Sequence, residues 1–285
     1  MLCAVLAVLP LAFNRPALAL PASWTTPFPA FRIAGNLYYV GSEDLASYLI
    51  VTPKGDILIN SSLVSSVPLI RRSVESLGFQ FSDIKVLLIS HAHYDHCAGS
   101  AAILRRTGAK YEVMSEDVAV VESGGKADFQ YGSDKSMQYP ASHVDRVLHD
   151  GDTVSLGGTV LTAHLTGGHT KGTTTWTLDE QEAGRVEHVV IVGSPNVNPG
   201  YKLVGNRAYP SIATDYREGF RLLSSLQCDI FLGAHGGYFD LPGKYARWKG
   251  GDHDAFIDPA GYREYIADRK RAFEAEYHRQ SARSR

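Results

Sequence analysis

Apolar residues recur along this chain in short runs, alternating over some stretches and at helical spacing over others, with Pro, Gly, Asn and Asp at the breaks. Strand signals fall at residues 36–40, 47–52 and 56–60. The last two are separated by Pro53-Lys54-Gly55, where proline and glycine favour a tight hairpin turn. Leu69, Ile70, Val74 and Leu77 share one helical face, which predicts a helix over 67–77 ended by Gly78. The unbroken run Val86-Leu87-Leu88-Ile89 predicts a buried strand. It is followed by a helix over 100–106 stopped by Gly108, a strand over 111–114 and a short helix over 116–122. Residues 124–145 have no clear period and are expected to form a surface insertion. Strand signals return at 153–156, 160–165, 173–178 and 188–192, then a helix over 216–226 and a buried strand over 230–232. An amphipathic helix runs from Pro259 to about Gln280, with Tyr262, Ile266, Phe273 and Tyr277 as its apolar stripe. Ahead of all these, residues 21–30 carry three prolines and Trp24, and are expected to pack as an extended arm.

Strands and helices thus alternate in two comparable halves. Two mixed sheets packed face to face, with helices on their outer faces, would bury all of these apolar surfaces, an α/β architecture. No linker, internal repeat or low-complexity tract divides the chain, so residues 20–285 are expected to form a single domain. Residues 1–19 differ: Met1 to Leu11 is almost wholly apolar, and Ala17-Leu18-Ala19 offers a small-residue cleavage pattern. The stretch is too short to span a bilayer and reads as a secretory signal peptide, though without a basic start. Its removal implies an exported, periplasmic mature protein, and no later stretch is apolar enough for a membrane helix.

With 28 basic and 30 acidic residues the formal net charge is −2, which gives no hint of a nucleic-acid or anionic-membrane partner. Of the three cysteines, Cys3 lies in the leader. Cys97 and Cys228 are too few for a disulfide framework. Cys97 is expected to be a small buried hydrophobe beside the functional residues.

Those residues begin directly after the buried strand, at His91-Ala92-His93-Tyr94-Asp95-His96. Three imidazoles and a carboxylate at the end of a buried strand incur desolvation that metal coordination compensates, and both are ligand types that zinc accepts. His91 and His93 are two apart and point the same way in extended chain. Asp95 and His96 lie past the strand end, where a turn can present them to a second metal. Such a site needs about six protein ligands. His169 in Thr166-Gly167-Gly168-His169-Thr170, and His235 in Gly233-Ala234-His235-Gly236-Gly237, each follow an apolar strand among glycines and complete the set. His143, His149, His188, His253 and His278 sit in polar or surface contexts. His164 alternates with apolar neighbours and is expected to support the ligands from behind rather than bind metal.

His-x-His-x-Asp-His, then Gly-His-Thr, then a strand-end histidine resembles the metallo-β-lactamase superfamily. The stretches at 31–40, Pro199-Gly200-Tyr201-Lys202-Leu203 and Phe231-Leu232-Gly233-Ala234-His235 resemble its third subclass of class B β-lactamases. The resemblance implies an αββα sandwich with two zinc ions, one held by His91, His93 and His169 and the other by Asp95, His96 and His235. It implies hydrolysis of the lactam ring of penicillins, cephalosporins and carbapenems by a metal-generated hydroxide, conferring resistance. Asp95 would orient that hydroxide, Tyr201 would support the oxyanion, and Ser194 and Asn198 would hold the substrate carboxylate.

Relatives on this scaffold also hydrolyse lactones and thioesters, which remain the alternative. Many of them carry a bridging aspartate after the strand at 188–192, where this chain has Gly193 and Ser194. A less anionic site favours a substrate bearing its own carboxylate, hence the lactam. A monomer acting on a small molecule is expected.

Two departures from the family stand out. Gly167 replaces a common proline and implies a looser loop before His169. Tyr262 stands where a cysteine would pair with Cys228, and such a lost tie is worth about 2–4 kcal/mol. Thiol titration of the denatured mature chain is expected to find two free cysteines; fewer would mean that Cys97 and Cys228 pair.

Overall fold

A computed structural model describes residues 20–283, so the leader at 1–19 lies outside the described residues. Two sheets build the molecule. The first has seven strands in chain order: β1 (Phe31–Ala34), β2 (Leu37–Tyr39), β3 (Tyr48–Thr52), β4 (Gly55–Ile59), β5 (Ile84–Leu88), β6 (Lys110–Met114) and β7 (Arg146–Leu148). It is antiparallel from β1 to β4 and parallel from β4 to β7. The second has five strands: β8 (Thr153–Leu156), β9 (Thr159–Leu165), β10 (Thr174–Glu182), β11 (Arg185–Val192) and β12 (Ile230–Gly233). Their spatial order is β12-β11-β10-β9-β8, and only β11 and β12 pair parallel.

The period-2 pattern decides how the layers stack. Tyr48, Ile50, Ile57, Ile59, Val86 and Leu88 share a core with Leu161, Ala163, Trp176 and Leu178 of the second sheet. Their neighbours Leu49, Leu58 and Leu87 point the other way, into a second core with helices α1 (Val67–Ser76), α3 (Ser100–Thr107) and α4 (Ser115–Glu122). On the far side, α5 (Ile212–Ser225) and α7 (Pro259–Arg283) pack together through Tyr216, Phe220 and Phe273. Val189, Val190, Ile191 and Val192 are all fully buried, as a strand covered on both faces requires. The result is the expected αββα sandwich.

Three elements carry too little signal to be read beforehand: the short strands β1 and β7, and helix α6 (Leu241–Lys249). One expectation is corrected. Residues 21–30 are not uniformly extended, because Ala22–Trp24 forms a 3-10 turn. Residues 124–145 form the expected surface insertion, largely exposed or half-buried and without α-helix or strand. They fold back so that Tyr139 OH donates to the Ala92 carbonyl at 2.7 Å. The missing tie at Cys228 is filled by packing: Cys97 and Cys228, the cysteines among the described residues, are buried and unpaired, Tyr262 OH donates to Leu223 O at 2.6 Å, and its ring meets Phe231 edge-on.

At the end of the sandwich marked by the β1–β2 turn, Glu180 is buried with one carboxylate oxygen unpartnered and the other accepting Asn36 N at 3.2 Å. Gly35 (φ 48) passes directly over it, where any Cβ would collide with the carboxylate. Burial pushes Glu180 up to about 7, from an ordinary value of 4.5. Stability is therefore full below the unfolded value and falls as pH rises toward 7, beyond which the loss is complete. Glu180→Gln is expected to leave the melting temperature unchanged near pH 4.5 and to raise it by a few degrees at pH 8, checked by thermal melts across pH.

Candidate metal centre

The hexapeptide is aimed by what surrounds the end of β5. Asn60, buried at the end of β4 in a left-handed conformation (φ 66), accepts Ser90 N at 2.8 Å and donates to Ala46 O at 3.2 Å. That grip fixes the strand exit just before His91. A one-turn helix, α2 (Tyr94–Cys97), then swings Asp95 and His96 away from the strand direction. Ser61 N and Ser62 N both donate to His96 O, while the Cys97 thiol donates to His93 O. His169 arrives on the β9–β10 loop, and His235 directly after β12.

All six expected ligands meet in one buried place. Ligand atoms of His91, His93 and His169 lie within 4.8 Å of one another, as do those of His91, Asp95 and His96. His93 Nδ1 is 3.1 Å from His169 Nε2. His235 Nε2 is 3.1 Å from His96 Nε2 and 3.6 Å from Asp95 Oδ2. His91 Nε2 is buried without a partner, which is costly unless a cation meets its lone pair.

The outer nitrogens support the same conclusion. His169 Nδ1 donates to Asn196 O at 2.8 Å and His235 Nδ1 to Asp44 Oδ2 at 2.9 Å, leaving each Nε2 lone pair facing inward. His91 Nδ1 lies 3.2 Å from Ser90 Oγ, and Asp128 Oδ2 faces His93 Nε2 at 3.7 Å. Burial and the neighbouring imidazoles hold His91 and His169 well below the usual histidine range. Burial also lowers His96, despite Asp95. For His235 burial acts in the same direction, but Asp44 reverses it. Burial alone would raise Asp95; His96 outweighs it and keeps the carboxylate ionised. Five imidazoles with one carboxylate form a donor set that fits divalent zinc.

Beside the ligands opens a cavity of about 420 Å³. Trp24 and Tyr94 form one side, Tyr131, Met137 and Tyr139 another, and Tyr238, Asn196 and Asn198 complete the wall. No lysine or arginine is among its lining residues. Asn198 is there as expected, donating to Tyr131 OH at 3.0 Å. The structure does not bring Ser194 or Tyr201 to the wall. Ser194 is buried behind Tyr238, Oγ to OH 3.1 Å, and Tyr201 OH is committed to His169 O at 2.8 Å.

A family model for the metallo-beta-lactamase superfamily matches residues 45–235, which spans every ligand and more than half of the chain. The chain belongs to this superfamily. Its fold is similar to the native FEZ-1 metallo-beta-lactamase from Legionella gormanii, with 57% identity and a TM-score of 0.90 over 90% of this chain and 98% of that one. It is also similar to LRA-12, a class B3 di-zinc metallo-beta-lactamase from an Alaskan soil metagenome, at 36% identity and TM-score 0.87 over 91% and 98% of the two chains. Among curated proteins, a probable metallo-hydrolase of Burkholderia pseudomallei is 29% identical over 120 residues. That match spans 41% of this chain and only 40% of the relative's own length.

Within this superfamily member, several site residues had escaped sequence reasoning. Asp44, Asp117, Asp128 and Asn196 are ordinary loop or helix residues in sequence, and only the fold sets them behind or beside the ligands. Conversely, His164 does not support the ligands: its Nε2 lies 2.8 Å from Thr177 Oγ1 on the neighbouring strand. The loop before His169 is also not loosened by Gly167. Thr166 N donates to Thr173 O, Thr166 Oγ1 meets Thr175 Oγ1, and Gly168 (φ 126) lies so close to the Tyr216 ring that a Cβ would clash.

Asp117 is the brace between ligand segments. Its buried carboxylate accepts Ala92 N at 2.8 Å from the hexapeptide, and Thr170 Oγ1 at 2.8 Å and Gly172 N at 2.9 Å from the His169 loop. Burial raises it to about 6, and those three donors limit the rise. In Asp117→Asn the new amide must face backbone N–H groups, leaving a buried donor unpaired. The expected cost is about 1–3 kcal/mol, read from denaturant unfolding of the metal-free protein, with weaker metal uptake alongside.

Proposed function

We propose that this protein is a zinc β-lactamase, holding two zinc ions and hydrolysing the lactam ring of penicillins, cephalosporins and carbapenems. The observation that carries this reading is the six-ligand set with Ser194, and not a carboxylate, after β11. The site then has Asp95 as its one acidic ligand, and the adjoining cavity accepts an anionic substrate without competition from a bridging aspartate. When bound, two zinc ions lower the pKa of water from about 15.7 toward 7 and polarise a carbonyl oxygen.

The chain's own residues do the rest. Asp95 is ionised and accepts a hydrogen bond, so it orients the attacking water as well as binding metal. Asn196 and Asn198 each give one amide hydrogen to a tyrosine hydroxyl and keep a second for a substrate carboxylate, on a wall whose lining residues include no lysine or arginine. Ser194 acts one step back by meeting Tyr238, whose hydroxyl also accepts Asn196 Nδ2 at 2.8 Å. Tyr201 fixes the His169 backbone and so positions that ligand; its buried hydroxyl is not free to meet an oxyanion. Trp24, Tyr94 and Tyr131 supply apolar surface that excludes water from the bound ring.

Removal of residues 1–19 and action of the mature chain in the periplasm, as a monomeric single domain, belong to the same proposal. The export reading rests on the leader pattern, and no helix among the described residues is long and apolar enough to cross a membrane.

Purified protein is expected to hydrolyse imipenem and a cephalosporin, to lose this on chelation and to regain it with zinc. His235→Ala is expected to lower kcat/KM by about a hundredfold or more. Zinc-loaded protein that leaves both antibiotics intact while turning over a lactone or thioester would overturn the β-lactamase reading.

A further inference from the structure

Trp24 stands at a junction that neither the ligand motif nor the family pattern explains. Its indole Nε1 donates to Asp44 Oδ2 at 3.1 Å, the same oxygen that accepts His235 Nδ1 at 2.9 Å. The other Asp44 oxygen accepts Gly237 N at 3.1 Å. The indole ring lies 6.0 Å from the His235 ring and 6.1 Å from Tyr94, next to Asp95 in the chain, and it forms part of the cavity wall.

The arm does not depend on the indole for its attachment. Asp44 N donates to Ser23 O, Glu43 N to Thr26 O, and Pro27 bridges Ser42. The indole N–H is therefore an extra donor, and its effect falls on the orientation of the Asp44 carboxylate. A carboxylate whose oxygen is shared by two donors holds both in register. Without the indole N–H, Oδ2 keeps only the imidazole, and the His235 ring loses part of what fixes its plane and tautomer.

We propose that Trp24 is a positioning residue for the metal held by Asp95, His96 and His235, acting through Asp44. The proposal rests on the two-metal reading given above. It makes the N-terminal arm part of the metal centre, so the surface that touches substrate also sets the orientation of a ligand.

Metal-free protein titrated with zinc against a chromophoric chelator reads the two affinities separately, and cobalt(II) substitution reads ligand geometry by its visible bands. Trp24→Phe keeps the ring and removes the N–H. It is expected to weaken the second metal by about threefold to tenfold, less than the roughly 10- to 100-fold of a direct partner such as Asp44. The first metal should bind as in the wild type. Asp44→Asn alone and the double variant are expected to match, since both interrupt the same relay. Wild-type affinity for the second metal in Trp24→Phe, or additive losses in the double variant, would overturn the relay. The Trp24 indole N–H resonance, one of three in the chain and identified by its loss in Trp24→Phe, offers a further check in the unmodified protein: it should shift with the second equivalent of metal and not the first, and no shift counts against the relay. Should the wild type take up only one metal, the two-metal reading fails instead.

Discussion

Six side chains carrying potential metal-ligand atoms converge at one place in the fold, five of them imidazoles, and the rest of the structure is arranged around that constraint. A buried imidazole is tolerable only if its outer nitrogen has a partner and its inner lone pair has a cation to meet. The outer partners are drawn from separate parts of the chain: the Asn196 carbonyl behind His169, Asp44 behind His235, the Ser90 hydroxyl beside His91. Each partner fixes a ring plane, and together the ring planes define where the metals can sit. Asp117 then ties the two segments that carry the first three ligands into one rigid unit.

The sandwich supplies the rigidity behind this arrangement. The hexapeptide, His169 and His235 all follow strand ends, so short loops with little freedom deliver them. Asn60 accepts a strained backbone conformation in order to hold the exit of β5, a cost borne by the two packed cores on either side of that sheet. The cavity is different in kind. Beside the ligand loops, its wall draws on the N-terminal arm and the 124–145 segment, which contribute side chains to the site without belonging to either sheet.

The absence of a lysine or arginine on the cavity wall has a chemical consequence. The wall offers neutral amides and hydroxyls beside the carboxylates of Asp44, Asp95 and Asp128, so on the reading proposed above positive charge for an anionic substrate would come only from the metals. The same reading links substrate orientation to metal occupancy, and it leaves the ring surfaces of Trp24, Tyr94 and Tyr131 to pack the remainder of the substrate.

The sequence by itself determined the layers and brought out the candidate ligands. Alternating apolar positions in β3, β4 and β5 dictated two covered faces, and the spacing of His91, His93, Asp95 and His96 is set by backbone geometry over six residues. His169 and His235 were legible because each follows an apolar strand among glycines. Tertiary structure alone decided which carboxylates stand behind the ligands, because Asp44 and Asp117 act through contacts made far along the chain, and no local period marks such a pairing. It also decided that Tyr201 and Ser194 turn inward, that His164 bonds its neighbouring strand, and that residues 124–145 close over the site. Those outcomes depend on which faces meet once two sheets pack, which is a property of the assembled layers and not of any one segment.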